Sequence, residues 1–186
     1  LIMVKNTPSL LLHTCCAPCS AGVFYQLKPL LNVTAFFYNP NIYPLEEQKK
    51  RETESREFCQ KNNLPFIFPE SKDAQEWFEK TKGLEREKEG GKRCVVCYTM
   101  RLKKTAAYAF AHGFDFFATT LTISPYKKAE TINPLGLKMA EKYQVKFLEA
   151  DFKKKGGFLK SLEIAKQNNL YRQNYCGCKY SIRTVN

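Results

Sequence analysis

Short apolar runs that alternate with helix-like stretches are what most constrain the fold of this chain. "SLLLHT" (9–14), "NVTAFFYNPNI" (32–42), "LPFIFPE" (64–70), "FDFFATTLTIS" (114–124) and "VKFLEADF" (145–152) each read as a strand. "CCAPCSAGVFYQLKPL" (15–30) opens as a loop and becomes a helix. "PLEEQKKRETESREFCQKNN" (44–63) is helical in composition, but its apolar face is poor, so it is expected to face solvent or a polar partner. Trp77 and Phe78 anchor a short helix, and Gly90 with Gly91 breaks the chain before Cys94. From Tyr98 onward Leu102, Ala106, Ala109 and Phe110 share a helical face that Gly113 is placed to end. Asn133 with Pro134 suits a cap and first helical position, and "GFLKSLEIAKQNNLY" (157–171) is a last helix. The alternation predicts an α/β fold, a mainly parallel five-stranded sheet with flanking helices. The 186 residues, 44% of them hydrophobic, suit a single domain over 1–186.

A parallel sheet puts its ligand site at the carboxyl ends of the strands. Cys15, Cys16 and Cys19 follow the first predicted strand, Asn39 ends the second, Ser124 the fourth and Asp151 the fifth. Cys94 and Cys97 begin the helix before the fourth strand, and Cys176 and Cys178 lie in the tail, 171–186. These residues are expected to converge.

The chain has eight cysteines, and four disulfides are arithmetically possible. Neighbours such as Cys15 and Cys16 pair only with strain, and a domain of this size needs no staples. Grouped free thiols read instead as metal ligands or catalytic thiols. "CVVC" (94–97) alone is ambiguous between a redox dithiol and half a metal site. In "CGC" (176–178) the glycine frees the backbone so that both thiols can point one way. Seven grouped thiols exceed the four ligands of one zinc, so two metal sites, or a cluster beside an ion, use them better. Spacing does not divide the thiols between two centres. Cys59, alone in the charged helix, reads as structural. His13 and His112 read as hydrogen-bonding residues. Asp151 is the carboxylate candidate, set against a capping or lysine-paired acid.

Lys and Arg number 30 against 18 Asp and Glu, a net charge of +12 that favours a polyanion such as tRNA or other nucleic acid. Arg51, Arg56, Arg101, Lys127, Lys128 and Lys153, Lys154 and Lys155 are candidate phosphate contacts, with a merely solvated charge run as the alternative. No stretch is apolar enough to span a membrane. "LIMV" runs at once into Lys5, Asn6 and Pro8, unlike a signal peptide, so a cytoplasmic location without membrane contact is expected.

Six segments carry a resemblance: "LLHTCCAPCS", "YNPNIYPLEEQKKR", "RCVVCYTMRL", "TTLTISPYKK", "DFKKKGG" and "YRQNYCGCKYS". In this order they resemble the QueH family of epoxyqueuosine reductases. The resemblance implies the last step of queuosine formation in tRNA, cobalamin-independent removal of the epoxide oxygen at the wobble position. It implies a [4Fe–4S] cluster beside a mononuclear iron. The resemblance implies that Cys15, Cys16, Cys94, Cys97, Cys176 and Cys178 are the core ligand set and that an aspartate shares the second metal, with Cys19 a further metal-ligand candidate and Asp151, from its strand-end place, the candidate carboxylate. It also implies a fold similar to the nucleotide α-hydrolase and tRNA-thiolation (HUP-like) proteins, with "CCAPCS" in place of their Gly/Ser phosphate loop.

That reaction needs two electrons and two protons. A Lewis-acidic metal beside an electron donor suits it, with a ferredoxin or flavodoxin as the external donor and the single-stranded anticodon loop as substrate. Cys16, Cys178, Asp151 and Tyr126 are the catalytic candidates, with Tyr175 and Tyr98 as further proton donors. A cluster-dependent tRNA-thiolating enzyme, a non-catalytic zinc module and a thiol–disulfide oxidoreductase are the competing readings.

Overall fold

A strand at the centre of a parallel sheet is covered on both faces, so its sequence runs apolar without alternating. Leu10, Leu11 and Leu12 meet that description, with no solvent exposure. In the computed structural model, which describes residues 7–69 and 73–182, they form the middle of β1 (Ser9–Thr14). On one side β1 pairs in parallel with β2 (Asn32–Phe37), and β2 with the two-residue β3 (Phe66–Ile67). On the other side β1 pairs with β4 (Phe116–Thr119), and β4 with the two-residue β5 (Lys146–Phe147). The order β3-β2-β1-β4-β5 is the expected parallel five-stranded sheet.

Among the described residues six α-helices cover the sheet: α1 (Ala17–Leu27), α2 (Leu45–Lys61), α3 (Asp73–Thr81), α4 (Lys92–Ala111), α5 (Ala129–Tyr143) and α6 (Gly157–Gln167). Alternation along β1 divides the core. Leu10 and Leu12 pack with Ala21 and Phe24 of α1, Phe58 of α2 and Ile164 of α6. Leu11, on the opposite face, packs with Leu102 and Ala106 of α4 and Ile132 and Met139 of α5. Each of these leucines contributes about 2 kcal/mol by leaving water. Helices α1 and α6 meet closely at Gly22, where a Cβ would lie 2.3 Å from that of Ser161.

Several predicted boundaries are corrected. Pairing to β1 ends at Phe37, so Asn39 lies two residues beyond its strand. The fourth strand stops at Thr119, whose side chain accepts from Leu121 N and turns 120–123 into a 3-10 helix; Ser124 follows that turn. The fifth strand is only Lys146–Phe147, which leaves Asp151 four residues past its end. Helix α5 starts at Ala129 rather than at Pro134, because its face Ile132, Gly136 and Met139 is already buried ahead of and beyond the proline. Phe110 is 59% exposed; eight residues after Leu102 it turns about 80° off the buried face. Helix α2 is less solvent-facing than its composition implies: Arg51, Ser55, Phe58 and Cys59 are buried. Of the predicted segments, residues 1–6, Glu70 of the third strand, Ser71 and Lys72 before the third helix, and 183–186 of the tail lie outside the described residues.

Candidate functional site

The sheet order reverses direction at β1, with β2 to one side and β4 to the other. The crevice between the carboxyl ends of β1 and β4 is therefore where a ligand is expected. Cys15 and Cys16 leave β1 there, and Cys16 is the N-cap of α1, with Pro18 in the first turn. The Sγ atoms of Cys15, Cys16 and Cys19 lie within 4.8 Å of one another. Cys15 is held well below the usual thiol range, chiefly by the neighbouring thiols of Cys16 and Cys19. Cys16 is correspondingly pushed up to about 12, and Cys19 is raised. A thiolate here also faces the positive end of a helix.

A second set of thiols forms where α4 meets the tail. Cys94, Cys97, Cys176 and Cys178 line one cavity of about 20 Å³. The tail reaches this place by specific contacts. Cys178 bridges antiparallel to Ile42, and Tyr43 N donates to Gly177 O over 2.8 Å. Buried Arg51 donates to the carbonyls of Cys176 and Tyr175 (3.3 and 3.2 Å) and pairs with Glu47 at 2.6 Å. Gly177 has φ +103°, and a Cβ on it would lie 2.9 Å from Ile42 Cγ1, so glycine is required between the two cysteines. Cys176 is held below the usual thiol range, first by the Cys178 thiol; Cys178 is raised in turn. Burial raises Cys97.

A larger cavity of about 150 Å³ adjoins this one, lined by Cys15, Cys19, Ser124, Tyr126, Arg172 and Gln173 among others. Cys176, Arg101, Lys127 and Glu89 line both cavities. A volume of this order takes a ring-sized molecule.

Arg101 is 3% exposed. It donates to His13 Nε2 (3.1 Å) and Asn39 Oδ1 (2.6 Å). Burial and Arg101 push His13 down to about 3, so it is neutral. With Nε2 accepting from Arg101, the proton sits on Nδ1, 2.8 Å from Thr119 Oγ1. Among the described residues Arg101 makes no ion pair with a carboxylate. Burial opposes its charge, and the thiols of Cys97 and Cys15 outweigh that effect. A buried cation needs an anion beside it, and Cys15, the thiol held below its usual range, is the group beside it that favours the charged form.

Arg51 and Arg101 are therefore corrected: both are buried, one holding the tail and the other between the thiol sets, and neither is a surface phosphate contact. Lys128, Lys154 and Lys155 are exposed, and Lys127 is half-buried at the cavities. Arg56 is exposed but bonded to Glu52. Asp151 is ion-paired with Lys153 at 2.7 Å and does not line either cavity. Tyr126, 65% exposed, lies at the rim of the larger one. Tyr175 donates to Tyr43 O, and Tyr98, lining the smaller cavity, is raised by burial. Cys59 is 1% exposed within the core, pushed up to about 12 by burial. His112 sits on the exposed end of α4, bonded to Tyr108 O.

Gln173 was not singled out by sequence reasoning, although it lies in a quoted segment. Its Nε2 donates to Cys16 Sγ over 3.0 Å, and its Oε1 is buried without a partner. Its place before "YCGC" is the signal that was available.

Residues 10–184 match the model of the family described as epoxyqueuosine reductase QueH. The chain belongs to the QueH family. Similar members include the epoxyqueuosine reductase QueH of Acinetobacter baylyi, 43% identical over 97% of this chain and 84% of its own length. That of Haemophilus influenzae is 45% identical over 95% of this chain and 73% of its own. That of Thermotoga maritima is 35% identical over 94% and 90%. Among solved structures, the U34-tRNA thiolase NcsA from Methanococcus maripaludis with its [4Fe-4S] cluster superposes with a TM-score of 0.63 at 16% identity. It covers 96% of this chain, which spans 63% of that protein's length. At that identity the likeness shows a related fold. No helix among the described residues is long and apolar enough to cross a membrane.

Proposed function

We propose that this chain removes the epoxide oxygen of epoxyqueuosine at the wobble position of tRNA, by two-electron reduction at the wall shared by the two cavities. As a QueH family member it is an oxidoreductase of tRNA modification. The observation that carries the placement is that Cys176, Arg101 and Lys127 line both the four-thiol cavity and the ring-sized one.

The donor set fits a [4Fe–4S] cluster with an iron beside it. Seven thiols in two adjoining groups offer soft ligands for both, and Arg101 with Lys127 offsets their charge. When bound, these groups would supply the electrons and a Lewis acid for C–O cleavage. Cys15, Cys16, Cys19, Cys94, Cys97, Cys176 and Cys178 are the ligands in this reading. Asp151 would be the carboxylate ligand of the second metal, at the cost of its ion pair with Lys153. Cys16 and Cys178 are those on which turnover depends most. Gln173 orients the Cys16 sulfur. Tyr126 offers a proton at the rim, and the ring of the modified base occupies the larger cavity, where it is shielded from water. The fold reads as a nucleotide α-hydrolase type in which cysteines replace the phosphate loop. The location is cytoplasmic, and an acidic ferredoxin or flavodoxin serves as donor.

The test is anaerobic incubation of iron-loaded protein with a reductant and tRNA bearing epoxyqueuosine, followed by mass analysis of the nucleosides. Queuosine should appear with wild type and be absent with Cys16→Ala and Cys178→Ala. No queuosine from wild type would defeat the reading, and full turnover by either variant would defeat the ligand assignment.

A further inference from the structure

Three acids lie in the short loop ahead of α4, and two of them are engaged with backbone. Glu85 accepts from Gly83 N over 2.9 Å. Glu87 accepts from Lys92 N over 3.0 Å and so satisfies a donor at the start of α4. The third, Glu89, makes no hydrogen bond or ion pair among the described residues. It is exposed, yet it lines both cavities. The next residue fixes its place. Gly90 has φ +89°, which favours glycine, and its N–H points at Cys94 Sγ over 3.2 Å. The loop is thus tied to the thiol set, and among its three acids Glu89 is the one without a partner among the described residues.

Charge makes this position informative. The larger cavity is lined by Arg101, Lys127 and Arg172, and among the described residues Glu89 is the only carboxylate on its wall. Epoxyqueuosine carries a secondary amine between its deazaguanine and its epoxycyclopentane ring, a cation at neutral pH. The thiols of Cys15 and Cys176 already offset Arg101 and Lys127, so a further cation entering the cavity is left to be met by a carboxylate. We propose that Glu89 is a specificity-determining residue that binds the ammonium group of the modified wobble base, a role resting on the substrate assigned above. It separates an aminomethyl-bearing deazaguanine from plain guanine by a charge-assisted hydrogen bond.

The test compares equilibrium binding of two tRNAs to anaerobically purified, iron-loaded protein. One carries 7-aminomethyl-7-deazaguanine at the wobble position, the other unmodified guanine. Wild type should favour the first about tenfold, the usual size of a charge-assisted hydrogen bond. Glu89→Gln, which keeps the shape and removes the charge, should lose that preference, and Glu89→Asp should recover part of it. Iron and sulfide content should be the same in all three proteins. An undiminished preference in Glu89→Gln, no preference in wild type, or loss of iron from Glu89→Gln would each overturn the assignment. Failure of wild type to reduce epoxyqueuosine would defeat the reaction and leave the ammonium preference standing, so the two failures are distinguishable.

Discussion

Arg101 sits at the centre of the site. Its guanidinium is oriented by a neutral histidine and an asparagine, and it faces thiols of both sets. Arg101→Met should remove the charge that holds these thiols together. Iron loading should fall, and the midpoint potential of what is loaded should drop, each tenfold change in a one-electron ratio being about 59 mV. Arg101→Lys restores the charge without the fork to His13 and Asn39, so the potential should recover while thermal stability does not. Redox titration and thermal melting read the two effects separately. An unchanged potential in Arg101→Met would show that the cation serves only to fill space.

At the scale of elements, Arg51, a buried side chain of α2, is one of the contacts that hold the tail at α4. Arg51→Ala takes away the ion-pair partner of Glu47, which keeps the Tyr171 hydroxyl, and leaves two tail carbonyls without their donor. It should cost about 3 kcal/mol, measured by denaturant unfolding, and should lower iron content. Equal stability and equal iron would show that the tail's other contacts, among them Tyr175 with Tyr43 O and Gln173 with Cys16, hold it without Arg51. This clamp was not legible in the sequence. Arg51 stands in a run of Glu, Gln and Lys that reads as a solvated face, and only the fold shows that a chain segment more than a hundred residues away covers it. The sheet was legible because Leu10, Val33 and Phe117 lie in runs too apolar for any other place. The ends of its strands were not. Thr119 turns the chain by a side-chain hydrogen bond that hydrophobic pattern does not encode. The place of Cys15, Cys16 and Cys19 at the strand ends followed from topology, whereas that of the tail thiols depends on this clamp. Glu89 and Gln173 were not legible, because a lone acid and a lone amide carry no spacing to recognise.

The whole molecule carries +12, and its exposed cations include Lys128, Lys154 and Lys155 near the end of the sheet where the cavities open. tRNA affinity should fall steeply with salt. Lys154→Ala with Lys155→Ala should flatten the log–log slope by roughly two units, about one per lost phosphate contact. Lys153, half-buried with its Nζ donating to Lys127 O, should contribute less. A slope unchanged by the double substitution would move the RNA track elsewhere on the surface.

The account rests on seven thiols from three parts of the chain serving one redox site. Iron, zinc and acid-labile sulfide measured on anaerobically purified protein test it most directly. About five irons and about four sulfides per chain are expected, the content of one [4Fe–4S] cluster and one further ion. One zinc per chain with no labile sulfide would contradict it.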